Sequence, residues 1–107
     1  MTKQTVSFER RGTELVARVE CELDHHTARE VREAIDRELF RICPSGLIID
    51  LSGVGFMDSS GIALIIGRCE CASSLGAAVV VRGLSAGLLR LVRLCGIEKI
   101  GNLTGVG

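Results

Sequence analysis

Two short apolar runs constrain the fold of this chain more than any other feature. Residues 47–51 (LIIDL) and 77–83 (AAVVVRG) are almost continuously apolar, which is typical of strands covered on both faces of a sheet. The segment between them contains a predicted helix from about residue 60 to residue 73. Strand, helix and strand in this order predict a parallel sheet with right-handed crossovers and helices packed on it. We expect the first run to be a central strand.

The N-terminal part of the chain has a different pattern. Residues 4–9 and 13–20 alternate between apolar and polar side chains, and the Arg-Arg-Gly sequence between them supplies a turn. This pattern predicts an antiparallel hairpin of half-buried strands. The fold class is therefore α/β, a mixed central sheet with an N-terminal antiparallel hairpin and helices packed on it.

A first helix is predicted from residue 28 to residue 42. One face is apolar, and the opposite face is expected to hold the i,i+4 ion pairs Glu33–Arg37 and Arg32–Asp36. Either Asp24 or Thr27 is expected to cap the start of this helix, and the sequence leaves both open. The predicted inward positions are Ala28, Val31, Ala34, Ile35, Leu39 and Ile42.

A third helix is predicted to begin after Ser85, whose hydroxyl is suited to cap it. Its inward face is predicted to contain Leu88, Leu91, Val92 and Cys95, and Gly96 is expected to end it.

Length and charge exclude several functions. With 107 residues, of which 47% are hydrophobic, the chain is expected to form a single domain with one core. Lysine plus arginine and aspartate plus glutamate both number 13, so a zero net charge argues against nucleic acid and against an anionic membrane as partners. No apolar run approaches the length of a membrane span, and the N-terminus does not resemble a secretory signal. We expect a cytoplasmic protein.

The cysteines and histidines do not predict a metal or cofactor site. Five cysteines without a Cys-x-x-Cys pair suit reduced, mostly buried thiols better than disulfides or zinc. His25 and His26 are adjacent, but no third ligand lies near them in the sequence. We expect neither a metal nor a cofactor.

The most distinctive polar cluster is the turn Phe-Met-Asp-Ser-Ser-Gly at residues 56–61. Asp58 is placed to cap the second helix, with Ser59 and Ser60 in its first turn, and capping alone is one explanation of the cluster. Neither the Gly-x-Ser-x-Gly pattern of a hydrolase nor a phosphate-binding loop is present. This turn and the Glu-Leu-Asp-His-His-Thr-Ala turn at residues 22–28 both follow strands, so we expect them to lie side by side.

These two turns together resemble those of the anti-sigma factor antagonists of the STAS domain family, most closely the sporulation sigma-F type. The resemblance implies that an anti-sigma factor, itself a serine kinase, phosphorylates Ser59, and that a serine phosphatase reverses this. It also implies that the unphosphorylated chain binds the kinase and releases the sigma factor. The partner-binding residues so implied are Glu22, Leu23, Asp24, Asp58, Ser59 and Ser60.

The resemblance further implies a STAS fold over residues 1–107, shortened at the C-terminus, in a protein that is a monomer or weak homodimer and not an enzyme. Two alternatives stay open at this point. One is a STAS protein of a stress-response partner switch that answers to another kinase. The other is a STAS domain that binds a small molecule or nucleotide at the same turn.

Overall fold

The structure is a computed structural model, and it describes residues 6–94 and 102–103. The described elements, in chain order, are β1 (Val6–Arg11), β2 (Glu14–Val19), α1 (Thr27–Ile42), β3 (Gly46–Asp50), α2 (Ser59–Ser74), β4 (Ala78–Arg82), α3 (Ala86–Leu94) and β5 (Asn102–Leu103). They form one sheet of five strands in the order β1-β2-β3-β4-β5. The β1–β2 pair is antiparallel and the other pairs are parallel. The predicted mixed sheet, its N-terminal hairpin and the central position of β3 are confirmed.

Strand register divides the side chains of the sheet between two faces. On one face, Leu15, Leu47 and Val79 lie in one row and Ala17, Ile49 and Val81 in the next, and all six are buried. They belong to the same apolar cluster as the inward side chains of α1 and α2. This face is therefore the main core of the domain, which the alternation of strands and helices predicted.

On the opposite face, the last row of β2, β3 and β4 is charged. The Oδ2 atom of Asp50 lies 3.4 Å from an Arg82 guanidinium nitrogen and 3.7 Å from one of Arg18. The other carboxylate oxygen accepts hydrogen bonds from the backbone N–H and the hydroxyl of Ser52, at 2.9 and 2.7 Å. Burial raises the pKa of Asp50, but the Ser52 hydrogen bonds and the charge of Arg82 lower it more. The acid in the LIIDL run thus fixes the start of the loop that leads to α2.

Helix α1 has the predicted inward face but not the predicted ion pairs. Four of the six predicted inward positions are buried, namely Ala28, Val31, Ile35 and Leu39. The other two, Ala34 and Ile42, are half-buried. The expected Glu33–Arg37 and Arg32–Asp36 pairs are wrong. Glu33 pairs instead with Arg29, at 3.3 Å, and Asp36 with Arg68 of α2, at 2.9 Å. A buried guanidinium needs a counter-charge more than a solvated one does, so Asp36 turns towards α2.

Helix α3 begins as predicted. The Ser85 hydroxyl accepts a hydrogen bond from the backbone N–H of Leu88 at 3.3 Å, which confirms it as the cap. The inward position predicted for Leu91 is wrong, because its side chain is 39% exposed while Leu89 is half-buried. The inward face is centred on Val92, and Leu89 lies beside it where Leu91 was expected. Cys95 and Gly96 lie outside the described residues.

Candidate functional site

The Asp-Ser-Ser-Gly turn forms the start of α2. Asp58 is the N-cap residue with an extended backbone, and its Oδ1 atom accepts a hydrogen bond from the Ser60 backbone N–H at 2.8 Å. This bond satisfies one of the amides that lack a partner in the first turn of a helix, and it confirms the predicted cap. Ser59 is the first residue of α2 and is exposed, whereas Ser60 is half-buried. The side chain of Ser59 is therefore accessible to solvent.

The Glu-Leu-Asp turn forms the start of α1 in a similar way. The Oδ1 atom of Asp24 accepts hydrogen bonds from the backbone N–H groups of His26 and Thr27, at 2.8 and 3.0 Å. The Asp24 backbone N–H in turn donates to the Thr27 hydroxyl at 3.0 Å. Asp24 thus supplies the capping carboxylate, and Thr27 supports it from within the helix. The N–H groups of Thr27 and then His26 hold the pKa of Asp24 below its usual range.

Backbone hydrogen bonds join the two turns to each other. The Leu23 N–H donates to the carbonyl oxygen of Phe56 at 3.0 Å, and the Asp58 N–H donates to the carbonyl oxygen of Leu23 at 3.1 Å. Leu23 and Met57 therefore form a short parallel bridge between the turns. The expectation that the two polar clusters lie side by side is confirmed.

Tight packing around Gly61 reinforces this junction. A Cβ atom at position 61 would lie 2.9 Å from Leu23 Cβ and would overlap the side chain of Met57. The side chains of Leu23 and Met57 are themselves buried, at 0% and 5% exposure. The glycine of the Asp-Ser-Ser-Gly turn is thus required by the close approach of α2 to the bridge, and Leu23 lies beneath the surface, not on it.

The exposed surface around the bridge has acidic and aromatic side chains. Glu22 and Ser59 are exposed, and Asp24 and Asp58 are half-buried beside them. Phe56, which the sequence reasoning did not single out, is 49% exposed next to the bridge. Aromatic side chains, phenylalanine among them, are enriched in the cores of protein–protein interfaces. The position of Phe56 two residues before Asp58, with Met57 between them, was the signal that could have identified it.

The described residues contain no cluster of three or more histidine, cysteine, aspartate or glutamate side chains close enough to hold a metal ion. Burial raises the pKa of the Cys69 thiol to about 11, so this buried sulfur is a poor nucleophile. Among the helices of the described ranges, none has both the length and the apolar character of a membrane span.

Comparisons with known proteins agree with this description. The family model of the STAS domain matches residues 5–104. An anti-sigma F factor antagonist of Paenibacillus polymyxa is 34% identical over 86 residues, which cover 80% of this chain and 74% of that protein. An anti-sigma-B factor antagonist of Listeria monocytogenes is 33% identical over 81 residues, 74% of this chain and 68% of that protein. The crystal structure of an anti-sigma factor antagonist from Mycobacterium paratuberculosis has a TM-score of 0.82 at 27% identity, covering 92% of this chain and 83% of that one.

Proposed function

The chain belongs to the STAS domain family, and from this premise we propose that it is an anti-sigma factor antagonist whose partner binding is switched off by phosphorylation of Ser59. The observation that supports this most is the exposed Ser59 hydroxyl beside a capping acid, on a turn joined to the Glu-Leu-Asp turn. The names of the Paenibacillus, Listeria and mycobacterial relatives support the antagonist role.

The unphosphorylated chain binds an anti-sigma factor kinase in this proposal, and a sigma factor is released as a result. The contact surface comprises the exposed and half-buried groups of the two turns: Glu22, Asp24, Phe56, Asp58, Ser59 and Ser60. Leu23, buried beneath that surface, acts by holding the two turns together. The chain is a cytoplasmic binding module and kinase substrate, not an enzyme, and a serine phosphatase restores its active form.

Electrostatics explains why one phosphoryl group is sufficient for the switch. Phosphorylation adds about −1.5 to −2 charges, which the N-terminal end of a helix tolerates well, so the fold survives. On the surface, however, the new charge joins the carboxylates of Asp58, Asp24 and Glu22. A partner that fits a neutral hydroxyl must then desolvate and oppose this charge. A penalty of several kcal/mol lowers the affinity by roughly a thousandfold.

Three serine variants test the switch. Ser59→Ala removes the acceptor without adding charge, so we expect the complex to form normally and phosphorylation to stop. Ser59→Asp keeps the fold, because an acid at a helix start is stabilising by about 0.3–1 kcal/mol, but it weakens the complex because the partner must desolvate and oppose the charge added beside Asp58. Ser60→Ala is the matched control and should remain a substrate.

Each variant is incubated with the anti-sigma kinase and ATP, the phosphate is mapped, and complex formation is measured. Phosphate on Ser60, or full-strength binding of S59D, would refute the assignment.

The Listeria relative favours one alternative, in which the partner kinase belongs to a stress-response system and not to sporulation. Binding assays with anti-sigma factors of both types distinguish the two, because the tighter complex identifies the system.

The small-molecule alternative is tested by titrating the isolated chain with nucleotides. Tight, saturable binding of a nucleotide by the chain alone would favour a ligand-binding role over the antagonist role.

A further inference from the structure

A groove between α1 and α2 concentrates positive charge next to the functional turn. Its volume is about 460 Å³, and the described residues that line it are His25, Ala28, Arg29, Arg32, Ser60, Ala63, Leu64, Gly67 and Arg68. Three of these residues are arginines, and the described lining includes no aspartate or glutamate. Of the described residues that line the groove, only Ser60 also belongs to the proposed partner surface.

The buried guanidinium of Arg68 lies at the groove and has N–H groups without hydrogen-bond acceptors among the described residues. The residue is only 8% exposed, and its Nε atom lies 2.9 Å from Asp36 Oδ1. The two atoms are close but not aligned as a hydrogen bond, and the Nη1 atom of Arg68 is also buried without a partner among the described residues. Burying a guanidinium N–H group without an acceptor costs free energy. In native proteins such buried N–H groups normally donate a hydrogen bond to a protein group, a water or a ligand.

Two exposed arginines lie at the rim of the groove. Arg32 is exposed and makes no ion pair within residues 6–94 and 102–103, whereas Arg29 pairs with Glu33 through a side chain that is 77% exposed. Ser60 contributes a hydroxyl from the first turn of α2, where the helix dipole also favours an anion. Arginine, hydroxyl and helix start together form the usual environment of a phosphate in proteins.

We propose that the groove between α1 and α2 binds a phosphate group, with Arg68 at its inner end and Arg29 and Arg32 at its rim. A phosphate presents several acceptor oxygens, so it can bind the Arg68 guanidinium, once that side chain turns its buried N–H groups towards the groove, together with at least one rim arginine. The phosphate comes either from solution or from the neighbouring turn itself, as a phosphoryl group on Ser59. The second source rests on the proposed function and the first does not.

The site is tested by adding inorganic phosphate to the full unmodified chain, at constant ionic strength maintained with chloride, and following its backbone amide signals by NMR. We expect saturable shifts confined to the groove-lining parts of α1 and α2. Replacing both rim arginines, R29Q with R32Q, should weaken binding by about tenfold or more. The matched control is Arg37→Gln, an exposed arginine of α1 outside the groove, which should bind as the unmodified chain does.

Arg68→Lys tests the inner end, because lysine keeps the charge opposite Asp36 but lacks the planar fork of N–H groups. It should bind phosphate more weakly while remaining folded, as judged by its amide spectrum. If Arg68→Lys fails to fold, the rim variants still test whether the groove binds phosphate. Shifts that do not saturate, that spread over the whole surface, or that R29Q with R32Q leaves unchanged would overturn the proposal.

A chain carrying phosphoserine at position 59, installed during synthesis, distinguishes the two sources without any kinase. If the phosphoryl group itself occupies the groove, its ³¹P signal moves when Arg32→Gln is introduced, and added phosphate no longer binds. If the ligand comes from solution, the ³¹P signal of the phosphoserine does not change when Arg32→Gln is introduced. Either result supports the site when the unmodified chain binds phosphate, and neither depends on whether phosphorylation switches partner binding.

Discussion

At the residue scale, Asp24 accepts hydrogen bonds at the start of α1 and is proposed to contact the partner, and two substitutions separate these roles. Asp24→Ala removes the acceptor for the His26 and Thr27 N–H groups, so we expect the free energy of unfolding to fall by about 1 kcal/mol. Asp24→Asn keeps a capping oxygen and removes only the charge, so it should lose less stability at neutral pH than Asp24→Ala does.

If the Asp24 charge contacts the partner, both variants weaken the complex with the anti-sigma kinase, although Asp24→Asn is destabilised less than Asp24→Ala. Chemical denaturation gives the stabilities, and calorimetric titration gives the affinities. Normal binding by D24N would show that Asp24 is a helix cap alone.

The lowered pKa of Asp24 predicts a dependence of stability on pH. A carboxyl group whose pKa is lower in the folded chain stabilises the fold above its ordinary pKa, and this contribution is lost as the pH falls through the folded value. Urea unfolding at a series of pH values below about 4 should therefore show a shallower loss of stability for D24N than for the unmodified chain. Asp50, whose pKa is also lowered, should account for part of the remaining slope. Parallel curves for the two proteins would contradict this assignment.

At the scale of elements, two glycines of α2 should respond oppositely to the same change. In Gly61→Ala the new methyl group would lie against Leu23 and Met57, so we expect a loss of about 1–3 kcal/mol from overpacking. In Gly67→Ala the new methyl group would meet no atom within 4 Å, so the higher helix propensity of alanine should raise stability by about 0.5–1 kcal/mol. Thermal unfolding of both variants measures the contrast, and a stabilised G61A would show that the bridge has room to adjust.

The elements also show what the sequence could predict. The inward face of α1 and the central position of β3 follow from periodicity and continuous apolar runs, which depend only on neighbours along the chain. The Asp36–Arg68 pair could not be predicted, because it depends on the distance between two helices. The same holds for the bridge between Leu23 and Met57, which buries a residue that was expected on the partner surface.

At the scale of the whole molecule, the strands and helices share a single apolar cluster, so unfolding should be cooperative. The chain has neither tryptophan nor tyrosine, so far-UV circular dichroism and NMR peak intensities are the suitable probes. We expect their urea transitions to coincide. Amides of the central strand β3 should exchange with deuterium more slowly than those of the edge strand β1, because β3 is paired on both sides. Separate transitions for the β1–β2 hairpin and the rest of the sheet would contradict a single cooperative unit.

The backbone bridge between Leu23 and Met57 also affects how fast a partner can bind. Loops that become ordered on association lose conformational entropy at that moment, and this loss slows binding or weakens it. Here the two turns are already joined by hydrogen bonds within the free chain, so the ordering has taken place during folding. The encounter is then limited by diffusion and by the attraction between charges, and it should vary with ionic strength far more than with the flexibility of either turn.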